Sequence, residues 1–485
     1  MRAAMFPAIG PSPRSKRPPG PKTRLSRATP LILATALFME NMDSTVIATS
    51  LAAIAADIGT DPISLKLALT AYLVALAIFI PISSWMADRF GARRVFRVAM
   101  LVFMIGSIAC AFSGSLAQFV GARFVQGMGG AMMGPVARLV LVRMTPRHQL
   151  VDAMAWLTIP ALIGPIVGPP FGGFLTTYFS WHWIFIINVP IGLLGIALVS
   201  FALPNEQRNR PRNIDGKGFV LAGLAFALFA FGCSVISLPA LPPIIGVVAA
   251  AIGMVLGVFY TRHALATEYP LLDLRLLSVR NFRITIVAGT FFRLGQGATP
   301  FLFPLMLQLS FGLTPFESGM VTFAGAIGAL AAKFVANWMF AHWGFKYPLV
   351  ISTAIGAAGI LVMGFYDAST PVPLMLAILV FTGFWQSTFW TGSNAFTFAD
   401  IEDKDAGQAN VMSQVWGQLM FAMGVALGGG TLELAHRLRG GGELALADFH
   451  IAFYVVAAVG FIATALFLRL PRNAGHQLIG GPHVH

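Results

Sequence analysis

Apolar runs long enough to cross a bilayer recur along almost the whole of this chain. Lipid hydrocarbon offers the backbone no hydrogen-bond partners, so a segment that crosses it must be a helix or a strand of a closed barrel. Barrel strands alternate polar and apolar residues, and these runs do not. Helices of about 20 residues fit them. Composition agrees: of 485 residues, 57% are hydrophobic and 11% charged, with a mean hydropathy of +0.77, whereas soluble domains carry about 25% charged residues. The runs predict fourteen helices, near 30–56, 66–88, 95–114, 117–142, 150–175, 183–203, 217–237, 242–262, 283–309, 317–341, 347–366, 371–396, 406–433 and 449–470. The loops left over are too short to hold a soluble domain.

The basic residues orient this array. Lys and Arg concentrate in loops on the cytoplasmic side of a membrane protein. With a cytoplasmic N-terminus, that side receives the basic tail, Arg89, Arg93, Arg94, Arg97, Arg143 and Arg147. It also receives Arg208, Arg210, Arg212, Lys217, Arg262, Arg275, Arg280, Arg283, Lys346, Lys404, Arg469 and Arg472. Only Lys66, Arg437 and Arg439 fall in outer loops. Both termini are therefore expected in the cytoplasm. A basic rim beside anionic lipid accounts for the net charge of +13, with no nucleic acid as partner. The two longest internal breaks, 204–217 and 262–283, divide the chain. The expected domains are a disordered basic tail (1–28), a six-helix bundle (29–203), linkers with an inserted helical hairpin (204–282), a second six-helix bundle (283–470) and a cytoplasmic tail (471–485). Cys110 and Cys233 both lie in predicted spans, which excludes a disulfide framework.

Three motifs carry mechanism. Between the second and third helices runs Ser84-Trp-Met-Ala-Asp88-Arg89-Phe-Gly91-Ala-Arg93-Arg94: an acid, a tight Gly turn and a pair of arginines. On charge alone this is a positive-inside loop. The fourth helix holds Arg123 with Gln126, Gly127, Gly129 and Gly130; an arginine inside a span needs an acidic or carbonyl partner. The fifth holds Gly164-Pro-Ile-Val-Gly168-Pro169-Pro170-Phe-Gly172-Gly173. Its small residues permit close helix approach, and its prolines remove donors and bend the helix. In their order, these stretches resemble the signature loop, the proton-coupling arginine element and the antiporter element of the major facilitator superfamily. With Ser180-Trp-His-Trp and Asn188-Val-Pro190 opening the sixth helix, the chain is similar to that superfamily's fourteen-helix drug:proton antiporters.

Glu40 and Asp43 lie three apart on the first helix and share a face. Repulsion and desolvation of two carboxyls in a poorly hydrated cavity favour a proton on at least one of them. A structural ion pair between one of them and Arg123 is compatible with proton carrying. Asp43 matches an acidic position of the family pattern, whereas Glu40 stands where a neutral residue is common. In the second half Gln386, Trp390 and Asn394 recur every four residues, as do Asn410, Gln414 and Gln418; Arg293 and Gln296 occupy the ninth helix. Such stripes can glue helices together; three in one half suggest a cavity wall. Arg293 has no evident acidic partner, so its counter-charge is expected from substrate, from Glu40 or from Asp43. Lys333 is expected to reach for the cytoplasmic rim.

The resemblance implies an all-α integral membrane protein of the major facilitator fold, two six-helix bundles plus an inserted hairpin, in a bacterial cytoplasmic (inner) membrane. It implies export of small amphiphilic molecules by proton antiport, through alternating access. Glu40, Asp43 and Arg123 would couple protons; Asp88, Arg89, Gly91 and Arg93 would form the conformational switch that latches the outward-open state. Gly164, Gly168, Pro169, Gly172 and Gly173 would form the antiporter element. No cofactor is expected, the proton gradient being the energy source, and no ATP-binding loop of the G-x-x-x-x-G-K-[ST] type occurs. Partners would be the small-molecule substrate, protons and lipid and, in a double-membrane bacterium, a candidate periplasmic adaptor and outer-membrane channel. A dedicated exporter of an anionic or zwitterionic metabolite or lipid is the alternative. An intramembrane enzyme would need a catalytic or metal constellation, and neither HExxH nor GxSxG is present.

Overall fold

The computed structural model describes residues 28–146, 149–203, 214–238, 241–402 and 404–471. The tails 1–27 and 472–485, Arg147, and the linker stretch 204–213 with Arg208, Arg210 and Arg212 lie outside them. Among the described residues there is no strand. Fourteen long helices follow in order: α1 (Ala28–Val46), α2 (Lys66–Phe90), α3 (Ala92–Ala111), α4 (Leu116–Met144), α5 (Leu150–Tyr178), α6 (Asn188–Ala202), α7 (Gly216–Val235), α8 (Pro243–Ala266), α9 (Arg280–Leu309), α10 (Pro315–Trp343), α11 (Lys346–Met363), α12 (Val372–Thr397), α13 (Ala406–Leu438) and α14 (Leu446–Leu468). Among the described residues thirteen spans are long and apolar enough to cross a membrane; α9 has 30 residues but carries Arg280, Arg283 and Arg293. Many large apolar side chains face outward, including Phe201, Phe334, Met254 and Ile244, a surface suited to lipid and not to water.

Helix ends follow local chemistry. Ser115 caps α4 by accepting from the Gln118 N–H, and Thr314 with Glu317 closes a capping box ahead of α10, with Pro315 in its first turn. Gly91, at φ +90°, joins α2 directly to α3 in a backbone conformation that L side chains rarely adopt. Asp215 caps α7: its carboxylate accepts from the N–H groups of Gly218 (2.8 Å) and Leu271 (3.2 Å) and pairs with His263 Nε2 (2.7 Å). Burial works against that carboxylate, but the bonds from His263, Gly218 and Leu271 prevail and hold its carboxyl below the usual carboxylate range.

Helices α1–α6 form one bundle and α9–α14 the other, and α7 with α8 forms a hairpin against α2 and α13. Glycines set the hairpin's close contact, Gly232 facing the backbone of Gly246 and Ala250, and Gly253 facing Phe229. The bundles meet where α5 packs on α10 and α2 on α13.

Two expectations need correction. The first span does not continue to 56: it ends as a 3-10 turn, Ile47–Thr49, followed by a short helix, Leu51–Asp57. Ser50 bonds Thr176 of α5 there, through hydroxyls 2.7 Å apart, which fixes the bend. Lys66 is not a loop cation. It is fully buried, with its Nζ donating to Ser237 Oγ (2.6 Å), because the hairpin covers the end of α2. Lys333 bonds Thr391 Oγ1 of α12 (2.9 Å), satisfied by its neighbour helix.

Candidate functional site

The fourth helix brings Arg123 and Gln126 one turn apart on a single face, and four other helices converge on them. Arg123 Nη1 meets Asp43 Oδ2 of α1 at 2.7 Å. Gln126 Nε2 and Asn188 Nδ2 of α6 both donate to Asp43 Oδ1, at 2.7 and 2.8 Å. Arg123 also donates to Gln126 Oε1 (2.6 Å), and Gln126 donates to Ser107 Oγ of α3 (2.7 Å). The Tyr72 ring of α2 lies 4.3 Å from the guanidinium carbon. Asp43, Arg123, Gln126, Asn188 and Ser107 are all fully buried. The cluster is a neutral ion pair inside a polar shell. Three donors converge on Asp43, so its carboxylate serves as acceptor only.

The residues singled out in sequence thus come together selectively. Asp43 and Arg123 pair; Glu40, one turn earlier, does not join them. It is half-buried beside Gly130 and Gly134 of α4. Among the described residues no hydrogen bond or ion pair reaches its carboxyl, and Arg138 and Asp43 are the charges near enough to act on it. Ser107 and Tyr72 were not foreseen, and Gln126 and Asn188 were noted only within motifs. The available signal was their polarity inside otherwise apolar spans.

At the arginine-rich end Asp88 pairs with Arg143 of α4, and Arg93 donates to the Ser200 carbonyl of α6. Both contacts are internal to the first bundle. Arg89 is exposed.

The Gly-Pro element lies at two interfaces. Gly164, Gly168 and Gly172 face α1 at Met42, Thr45 and Val46, while Gly173 faces the Pro315 carbonyl of α10. Gly319 of α10 in turn abuts the Pro169 carbonyl. The Phe316 N–H donates to Thr177 Oγ1 (3.0 Å), and Gln308 Nε2 donates to the Thr49 carbonyl (2.9 Å). Phe316 also packs edge-on against Phe174 and Tyr178. The bundles are therefore sealed together at the end opposite the arginine-rich loops.

In the second bundle Arg293 is buried, 3% exposed, with its guanidinium carbon 5.4 Å from the centroid of the Trp390 ring. Gln296, Gln386, Gln414 and Gln418 are half-buried, Asn394 and Asn410 exposed, and Gln414 donates to Asn410 (3.0 Å). Amides have a high cost against lipid tails, so a face of this kind suits a hydrated interior. A separate cavity of about 390 Å³ opens between α7 and α13, lined in part by Cys233, Ser237, Thr431, Glu433 and Arg437. It shares no residue with the Asp43 cluster.

The family model described as Major Facilitator Superfamily matches residues 33–261 and 285–483. The chain belongs to the Major Facilitator Superfamily. It is 32% identical to a protein of Haemophilus influenzae named as a probable transport protein HsrA, over 92% of this chain and 96% of that one. It is 31% identical to one of Pectobacterium carotovorum named as a putative multidrug resistance protein MdtD, with the same coverage. A solved peptide transporter of the POT family, in complex with sulfate, superposes with a TM-score of 0.70 at 14% identity, over 93% of this chain and 95% of that one; at that identity the likeness concerns the fold alone. The resemblance drawn from the motifs stands, and the chain is a multi-pass transporter of this superfamily.

Proposed function

We propose that this transporter is a proton-coupled antiporter that exports small amphiphilic molecules across the cytoplasmic membrane. The observation that carries the proposal is the pairing of Asp43 with Arg123 inside a fully buried, neutral cluster, one helical turn from the unpaired Glu40. Loss or gain of one proton unbalances such a cluster, because a protonated Asp43 no longer offsets Arg123 and the buried cation must find another partner. A carboxyl placed this way links protonation to helix rearrangement.

With both termini cytoplasmic, the sealed end is the outer one and the structure is inward-facing. Substrate then enters from the cytoplasm between the bundles. Rocking of the bundles about the middle of the molecule breaks the Gly173–Pro315 and Gly319–Pro169 approaches and exposes the cluster to the outside. Protons enter there, reach Glu40 and Asp43, and are released inside after the return. Asp88, Arg89 and the Gly91 turn are the elements that would dock against the second bundle when the cytoplasmic end closes. No cofactor is required, and in a double-membrane bacterium an adaptor and outer channel would extend the route.

Purified protein in liposomes tests this. Addition of a transported dye should drive proton movement in the opposite direction, and substrate movement without any proton flux would refute antiport. A dedicated exporter of an anionic or zwitterionic molecule is favoured by one observation, the unpaired Arg293 in the second bundle.

A further inference from the structure

Arg293 and Glu40, charges of opposite sign within the spans, make no hydrogen bond or ion pair among the described residues. Arg293 is buried, and among the described residues it has neither a hydrogen bond nor an acidic neighbour; its Nη1 is unsatisfied. The other buried charges are matched. Arg123 has Asp43 at 2.7 Å, Glu433 has Arg437 at 2.5 Å, Asp448 has Arg439 at 2.8 Å and Lys66 has the Ser237 hydroxyl at 2.6 Å. Asp43 is held by three donors in the first bundle, so it does not serve Arg293. Glu40 likewise has no hydrogen bond or ion pair among the described residues, and the charges that act on it are Arg138 of α4 and Asp43.

The space around Arg293 is made for a guanidinium. A Cβ at Gly289, one turn earlier on α9, would collide with Nη1, and Gly417 of α13 leaves room beside Nε at 3.7 Å. Trp390 presents its half-buried ring to the cation. A buried cation without a counter-charge is costly, and its retention in a shaped slot is explained if an anion arrives with the ligand.

The helices that carry the two charges come together at one end. Both α1 and α9 start at the arginine-rich end, and they meet at the far end through the Gln308–Thr49 bond. Glu40 lies nine residues before that junction and Arg293 fifteen, about 14 and about 23 Å along the two helices at roughly 1.5 Å per residue. They therefore lie below the seal, one in each bundle, about 9 Å apart in depth at that rise per residue.

Building on the export reading above, we infer that Glu40 and Arg293 are the two poles of one substrate site, which takes a zwitterionic aromatic amphiphile. The anionic group pairs with Arg293, the cationic group with Glu40, and the apolar body lies on Trp390. Charge complementarity at both ends makes such a ligand preferable to a simple lipophilic cation.

Binding of matched xanthene dyes to detergent-solubilised protein, read by fluorescence polarisation, tests the inference. Rhodamine B is a zwitterion, its ethyl ester a cation and fluorescein an anion. Wild type should bind rhodamine B at least tenfold more tightly than the ester. Arg293→Gln should abolish that preference while leaving the ester's affinity within about twofold, Arg293→Lys should retain it, and Glu40→Gln should weaken both rhodamine B and the ester. Removal of a lone buried cation should leave the melting temperature of ligand-free protein unchanged or higher. Equal or tighter binding of the ester by wild type, or no binding of rhodamine B, would overturn the inference. So would a fall in melting temperature with parallel loss of both dyes in Arg293→Gln, which would make Arg293 a structural peg on Trp390. The assay uses no proton gradient, so absence of the dye preference in wild type with intact proton exchange in liposomes defeats this inference alone, and the converse defeats only the coupling mechanism.

Discussion

The Arg123 guanidinium and the Asp43 carboxylate lie 2.7 Å apart with both side chains withdrawn from solvent, and neither has another oppositely charged partner among the described residues. Breaking one member of such a pair leaves the other charge stranded, at a cost of about 3–5 kcal/mol. Asp43→Asn should therefore lower the melting temperature and abolish substrate-driven proton exchange in liposomes, since an amide cannot cycle a proton. The double variant Asp43→Asn with Arg123→Gln should recover much of the stability and none of the exchange. Full exchange by Asp43→Asn would remove Asp43 from the coupling mechanism. Glu40→Gln, with no hydrogen bond to lose, should fold normally and shift the pH dependence of transport.

Gly168 faces Thr45 so closely that a side chain there has no room. Overpacking of this kind costs about 1–3 kcal/mol, which a large bundle survives. Gly168→Val should reach the membrane and fail to transport, because α5 is forced away from α1. Normal export by a well-expressed Gly168→Val protein would show that the close approach is dispensable.

The seal between bundles should be a moving part. Phe316 N–H and Thr177 Oγ1 are bonded at 3.0 Å across it. Cysteines introduced together at positions 177 and 316 should cross-link on oxidation and stop transport, and reduction should restore it. Unimpaired transport by the cross-linked protein would mean that this contact stays closed throughout the cycle.

The Asp215 junction carries a pH dependence outside the spans. Its carboxyl sits below the usual range in the folded protein, so its contribution is fully present above the ordinary carboxylate value of about 3.9 and is lost as pH falls through the lower folded value. Protection of the Gly218 and Leu271 amides, taken as exchange relative to the free-peptide rate at each pH, should fall on acidification below about pH 4. In Asp215→Asn that protection should be weaker at neutral pH and respond little to acid. Identical exchange in the two proteins would show that the carboxylate does not hold the hairpin's base.

The membrane explains why so much was legible in one dimension. Lipid leaves the backbone no choice but helix, so apolar runs between charges mark the spans, and fourteen long helices lie close to the expected ranges. Small residues at helix spacing announced the close approach of α5, and a lone arginine in a span announced a carboxylate partner. Which carboxylate was a different matter. Glu40 and Asp43 share a face and a chemistry, and their separation into a free group and a locked one depends on what α3, α4 and α6 bring: Gln126 and Asn188 donate to Asp43 and are themselves held by Ser107, while Gly130 and Gly134 leave Glu40 open. Lys66 teaches the same lesson, since its burial comes from Ser237, 171 positions away, through a hairpin whose docking no local pattern announces. Periodicity and hydropathy report a helix's own preference for lipid or water. The partner of a buried charge is set by packing between helices distant in sequence, where one bond of 2.7 Å distinguishes residues that are otherwise alike.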